Sequence, residues 1–328
     1  MRHRFVVCWA LAAVIAVALL APASEAGQAR TAADKETAPR TPWGHPDLQG
    51  TWSNTTTTRL ERPTDLAEKA VLTEQERTTL DAQAVQRQDR RPPPGSTGGY
   101  NSFWLEGGKA SHRTSLVIDP PDGRLPFTPE ARKRADVFNA NINGEGTANS
   151  WEDRNLYERC ITRGLPGAMM PGFYNHNYQI LQTPDYVVVL VEMIHDARII
   201  PLNGRPHLPQ GIRQWLGDSR GRWDGNTLVV ETTNFTDRVK DTGLTVFGIG
   251  KNSRLVERFT RVDAGTIDYQ ITVTDPGVFT KPWTAAIPMT RIDGPLFEYA
   301  CHEGNYGLED ILKGARTQER AATKTGSR

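Results

Sequence analysis

The chain has 328 residues, 38% of them hydrophobic, which is enough to bury one large core or two modest ones and too many for a chain that stays unfolded. Lys and Arg total 39 against 38 Asp and Glu, a balance that removes the electrostatic case for nucleic acid or an anionic membrane surface as partner. No glycine pattern of the Rossmann or P-loop kind occurs, so no nucleotide cofactor is expected and the identity of any other cofactor is left open.

Residues 1–26 read as a secretory signal peptide. Arg2, His3 and Arg4 precede an apolar run over 5–20, and the following APASEA ends in a small-x-small pattern suited to cleavage after Ala26. The run is shorter than the roughly 20 residues a spanning helix needs, and Cys8 stands at its start, the wrong end for a lipid anchor. The expected location is periplasmic or secreted, with no membrane contact after cleavage. Two cysteines then remain, Cys160 and Cys301, and an even pair in an exported chain is expected to form a disulfide, with two buried free thiols as the alternative.

Residues 27–42 lack apolar periodicity and read as a flexible leader. Residues 43–150 form an N-terminal arm with helices and short strands. PWGHPDLQGTW is expected to pack its tryptophans irregularly and then enter a strand. Thr73-Glu-Gln-Glu76 is a capping box that starts a helix running to residue 90, which RRPPPGSTGG stops. A short strand over 115–118 ends in a Pro-Pro-Asp-Gly turn, and Thr128-Pro129 opens a second helix to residue 139.

A β-rich core domain spans 151–318, and a disordered tail takes 319–328. Strands are expected over 178–181, 186–193, 198–202, 212–216, 227–232, 254–262, 266–274, 283–291 and 296–300. Tight turns at Trp223-Asp-Gly-Asn-Thr227 and Val262-Asp-Ala-Gly-Thr266 link neighbouring strands as hairpins. Consecutive hairpins imply an antiparallel sheet, and closure removes its exposed edges. The fold class is therefore mainly β: an antiparallel lipocalin-like barrel, or alternatively a β-sandwich, with peripheral helices and an irregular N-terminal arm.

At PWGHPDLQGTW, DPPDGRLPFTPEA, ERCITRGLPG, EMIHDARIIPL, GDSRGRWDGNTLVVETTNF, DPGVFTKPWT and EYACHEGNYG the chain resembles a family of uncharacterised exported bacterial proteins. The resemblance covers nearly all of the mature chain and implies kinship without catalytic residues. The Gly-x-Trp-x-Gly hairpin is also similar in pattern to those of lipocalin-like hydratase and binding families.

Several constellations could carry chemistry. Gly217-Asp-Ser219-Arg-Gly221 matches the nucleophile-elbow pattern, but an elbow joins a strand to a helix and this one leads to another strand. His195-Asp196, with Glu192 nearby and His302-Glu303 farther along, offers acid-base groups. His176, His195, His207 and His302 could converge on a metal, although no HExxH or HxH spacing supports one and the metal is unassigned. Arg198, Arg205, Arg213, Arg220 and Arg222 crowd one stretch and could hold a carboxylate or phosphate, or else pair with the local acids. With His207, Trp223, His176 and Tyr178, the arginines Arg198, Arg205 and Arg220 make the expected ligand-binding set. Aromatic residues are numerous enough to line a cavity or to fill a core. The expectation is an exported β-barrel-like protein that binds a small, anionic or aromatic molecule in the barrel or between sheet and loops. The alternative is a cofactor-independent or metal-assisted lyase, hydratase or hydrolase that uses His195, Asp196, Glu192, His302 and Glu303.

Overall fold

Ten antiparallel strands make one sheet in the computed structural model, which describes residues 38–88, 103, 105–140, 148–172, 174–237 and 250–326. The expected signal peptide, most of the leader and the RRPPPGSTGG stop lie outside the described residues. The strands are β1 (Gly50–Ser53), β2 (Val117–Asp119), β3 (Asn177–Gln182), β4 (Tyr186–Val191), β5 (Ala197–Pro201), β6 (Asp218–Asp224), β7 (Thr227–Thr233), β8 (Arg254–Arg261), β9 (Thr266–Thr274) and β10 (Trp283–Arg291). Nine of them follow the order β5-β4-β3-β1-β10-β9-β8-β7-β6, and β2 joins on β10. The sheet curls until it is nearly a barrel, with β5 and β6 as the two sides of the seam. Helices α1 (Glu74–Gln88), α2 (Pro129–Ala140) and α3 (Tyr306–Gly326) complete the described regular structure.

Local chemistry explains the elements that match expectation. Glu76 accepts from the Thr73 N–H and hydroxyl at 2.8 Å, and the Glu76 N–H donates back to Thr73 Oγ1, which closes the capping box of α1. The pair Asp224 and Thr227 leaves Gly225 and Asn226 as a two-residue turn, where Gly225 takes a φ of 58°. Along β8 and β9 the burial alternates strictly: Leu255, Glu257 and Phe259 face in, as do Ile267, Tyr269, Ile271 and Val273.

The interior is filled. Trp52, Trp283, Tyr178, Tyr269 and Phe259 are buried inside it, as expected for a barrel this small, where side chains occupy the lumen. One ion pair lies among them. Arg198 of β5 donates from Nη1 and Nη2 to the two carboxylate oxygens of Glu257 on β8, at 2.9 and 2.5 Å, and the Tyr269 hydroxyl donates to Glu257 at 2.9 Å. The two strands are not ladder neighbours, so this bidentate contact crosses the interior beside the seam.

Four expectations require correction. Residues 212–216 make no strand; Gln214 forms an isolated parallel bridge with Phe235, and Ile212 is exposed. Residues 296–300 run as an irregular strap because β10 already ends at Arg291. The GDSRG segment, read as an approach to a hairpin, belongs to β6 itself. Gly221 is required there: a Cβ would sit 2.6 Å from Leu202 and 3.0 Å from Ile200, the β5 side of the seam. Helix α3 continues to Gly326, through most of the stretch expected as tail.

Replacing Glu257 by Gln leaves the Arg198 charge buried against a neutral partner and is expected to cost about 3 to 5 kcal/mol. The triple change Arg198→Met, Glu257→Leu, Tyr269→Phe, which removes the charges and the hydroxyl together, should recover most of that loss in urea unfolding. A loss below about 1 kcal/mol for the single variant, the size of an exposed pair, would show that the clamp is not there.

Candidate functional site

A strap formed by residues 295–303 folds back over the outer face of β3 and β4 and encloses a cleft of about 540 Å³. The floor comes from Gln179, Leu190, Val191 and Glu192, and the strap contributes Pro295, Leu296, Phe297 and Tyr299. His195, Glu298, His302 and Glu303 add polar groups, and Ala300 completes the lining.

Three tethers fix the strap. Cys160 and Cys301 are joined in a disulfide with a Cα separation of 5.7 Å. The backbone N–H of Phe297 donates to Glu192 Oε1 at 3.0 Å. His195 Nδ1 lies 3.2 Å from the Tyr299 carbonyl. A carbonyl only accepts, so Nδ1 is the donor in this bond, and the tautomer that fits it has Nε2 as its acceptor nitrogen.

The turn that presents His195 is strained. Ile194 and His195 have φ of 63° and 46°, the left-handed region that a β-branched isoleucine seldom enters. Burial of Ile194, the Val191 N–H to Asp196 carbonyl bond at 2.9 Å and the His195 N–H to Glu192 carbonyl bond at 3.2 Å hold it in place.

Four of the five acid-base candidates thus line one cleft: Glu192, His195, His302 and Glu303. Their conditions differ. Glu192 is 2% exposed and its oxygens accept from Phe297 N–H and from the Asn177 amide at 2.7 Å, so it acts first as an anchor for the strap. His195, His302 and Glu303 are exposed. Asp196 does not pair with His195; its carboxylate accepts from the Thr162 hydroxyl at 2.8 Å, and burial raises its pKa.

The expected ligand-binding set does not gather. Arg198 is inside the barrel with Glu257. Arg205 donates to Asn203 and to the Tyr186 hydroxyl on the surface. His207 and Arg220 both bind Asp218, at 2.9 and 2.6 Å, across the start of β6. Trp223 stacks on His45 of the N-terminal arm with ring centroids 4.6 Å apart. Ser219 faces away from this group and hydrogen-bonds Thr232 at 2.8 Å, so GDSRG builds no nucleophile. Tyr178 is a core residue whose hydroxyl accepts from Asn54 and donates to the Ala168 carbonyl. His176 is buried, with Nε2 2.5 Å from Arg163 Nη1. Among the described residues no three His, Cys, Asp or Glu side chains cluster as metal ligands, so the four histidines do not converge. Gln179, Leu190, Leu296 and Phe297 are lining residues that sequence reading missed. Their signal was faint: 296–300 has strand-like composition, and only its place after β10 makes it a strap.

No family model, curated protein or solved structure matches the chain, so its function is argued from these residues.

Burial, with the Arg163 charge beside it, pushes the pKa of His176 from 6.5 down to about 3. The unfolded chain takes up this proton near 6.5 and the folded one only near 3, so acidification through that window favours unfolding. Between pH 7 and 4 the folding stability of the natural protein should fall by roughly 3 kcal/mol more than that of His176→Gln, whose amide oxygen can accept the same Arg163 bond. Denaturant unfolding across pH checks this, and parallel curves would overturn the buried neutral imidazole.

Proposed function

We propose that this is an exported protein that binds a small molecule in the strap cleft, with the ligand's apolar body against Leu190, Leu296, Phe297 and Tyr299 and its polar edge toward His195, His302 and Glu303. The observation that carries this reading is the cleft itself: about 540 Å³, within the range of small-molecule sites, with an apolar and aromatic wall facing the polar groups of Gln179, Glu192, His195, Glu298, His302 and Glu303. Export is supported by the disulfide, a bond that persists in oxidising compartments. Among the described residues no helix is long and apolar enough to cross a membrane.

Acid-base catalysis in the same cleft is the second reading, favoured by the tautomer of His195. With Nδ1 held by the Tyr299 carbonyl, Nε2 is the base for a proton on a bound molecule. An exposed imidazole oriented by a backbone carbonyl suits the proton transfer of a lyase, hydratase or hydrolase step.

A thermal-shift screen of small aromatic and aliphatic compounds tests the binding reading when run on the natural protein and on Leu190→Trp, which fills the cleft from a half-buried position on the outer face. A ligand at about 100 times its Kd adds about 2.7 kcal/mol, a melting-temperature rise of several degrees. At least one compound should produce that rise in the natural protein and not in Leu190→Trp. Equal shifts in both proteins would remove the cleft from consideration.

A further inference from the structure

Four arginines are buried among the described residues: Arg62, Arg163, Arg198 and Arg261. Three have oxygen acceptors, although Nε of Arg198 is left without a partner. Arg62 donates to the Thr114 hydroxyl and to the Ala67 and Pro121 carbonyls. Arg261 donates to the carbonyls of Asp47, Asp263 and Ala264. Arg198 has both oxygens of Glu257.

Arg163 is different. It is 8% exposed, and its one hydrogen-bonding partner among the described residues is a nitrogen, His176 Nε2, facing Nη1 at 2.5 Å. The other charged or titratable groups that act on it are tyrosines, with no carboxylate among them, and Nε is buried with no partner. The guanidinium carbon stands 5.1 Å from the Tyr157 ring centroid, which provides a face but no counter-charge.

The imidazole cannot supply that charge. It is a neutral acceptor toward Arg163 and is also hydrogen-bonded to the Met170 backbone. Gly172 wedges the ring in place: a Cβ there would fall 1.7 Å from His176 Nε2. A buried cation without a counter-charge or full hydrogen bonding is costly, and proteins pair such groups. Nη1 is engaged by His176, so the edge left to Arg163 is Nε with Nη2, the side-on fork that takes both oxygens of one carboxylate.

The surroundings fit an acid with an aromatic body. Tyr157 and Tyr174 are half-buried with their hydroxyls 3.3 Å apart, and Tyr299 also acts on Arg163. Burial keeps the Tyr157 phenol protonated, hence a donor. These rings give flat walls and hydroxyl donors beside a single positive charge.

We propose that Arg163, with the hydroxyls of Tyr157 and Tyr174, forms a binding site for the carboxylate of a small aromatic acid. One cation with a planar fork suits a monoanionic, planar carboxylate better than a dianionic phosphate. The site borders the strap cleft through Tyr299 but uses other polar groups, and does not depend on the function proposed for that cleft.

Calorimetric titration of the oxidised, full-length protein with benzoate tests the proposal, with inorganic phosphate as the comparison. Benzoate is expected to bind saturably. Arg163→Lys, which keeps the charge and loses the fork, should weaken it at least tenfold, Tyr174→Phe should weaken it several-fold, and Leu190→Trp should leave it unchanged. No saturable heat up to about 10 mM, ten times above a millimolar Kd, would overturn the site. So would phosphate binding without benzoate binding, equal benzoate affinity in Tyr174→Phe, or loss of benzoate binding in Leu190→Trp, which would move the acid to the cleft. If Arg163→Lys fails to fold, Tyr174→Phe decides, because Tyr174 is half-buried.

Discussion

The interior ion pair between Arg198 and Glu257 is the interaction on which the barrel depends. A sheet that curls without completing its ladder leaves two strands at a seam, and here those are β5 and β6. Backbone hydrogen bonds hold every other neighbouring pair, so the seam needs another means of closure. Packing supplies part of it, through Gly221 against Leu202 and Ile200. The rest comes from Arg198 reaching across the lumen to β8, where Glu257 receives both guanidinium nitrogens and the Tyr269 hydroxyl. Such a pair adds little net stability relative to apolar residues of the same volume, but it selects one arrangement of the strands, since any slip of β5 would leave a bare charge in the core.

The strap obeys a different constraint. After β10 the chain has no ladder to join, so its position over β3 and β4 depends on the disulfide and two hydrogen bonds. In the chain-entropy model a bridge across a separation of 141 residues stabilises by about 4 to 5 kcal/mol before strain. The local consequence matters more for function. Cys301 stands between Tyr299 and His302, so the covalent tie sits in the middle of the cleft lining and not at its hinge. The disulfide anchors the strap at Cys160 while the Phe297–Glu192 and Tyr299–His195 bonds tie it over the floor, so much of the ordering is in place before a ligand arrives.

Legibility in the sequence followed how local the cause was. The capping box of α1, the Thr128 N-cap of α2 and the turn at Gly225 depend on residues within a few positions, and each lies where its pattern placed it. Strands β8 and β9 alternate with period two over eight and nine residues, a signal that survives without tertiary information. Strand β6 was missed because DSRGRWD carries four charged side chains, and its Gly221 reads as a loop residue until Leu202 is seen across the seam. The strand expected at 296–300 had the right composition and no partner. At the site, His195, His302, Glu192 and Glu303 were legible as chemically capable groups, and the two cysteines said which distant segments would meet. The separation of His195 from Asp196 was not legible, because it follows from left-handed backbone at Ile194 and His195, which no side-chain pattern encodes.

The arginines show most plainly why residue type alone misleads. Read along the chain, Arg198, Arg205 and Arg220 form a basic cluster that invites an anion. In the fold each already has acceptors: Glu257 for Arg198, Asn203 and Tyr186 for Arg205, Asp218 for Arg220. Arg163 stands alone in ERCITRG, with nothing in its sequence neighbourhood to single it out, yet it is the buried arginine whose oxygen acceptors are missing among the described residues. Charge density in sequence counts groups, whereas binding capacity depends on which groups the fold leaves unsatisfied, and those are found by tracing donors to acceptors one at a time. That distinction moves the anion-binding argument from the rim of the barrel to the loop after Cys160, directly beneath the point where the strap is tied down.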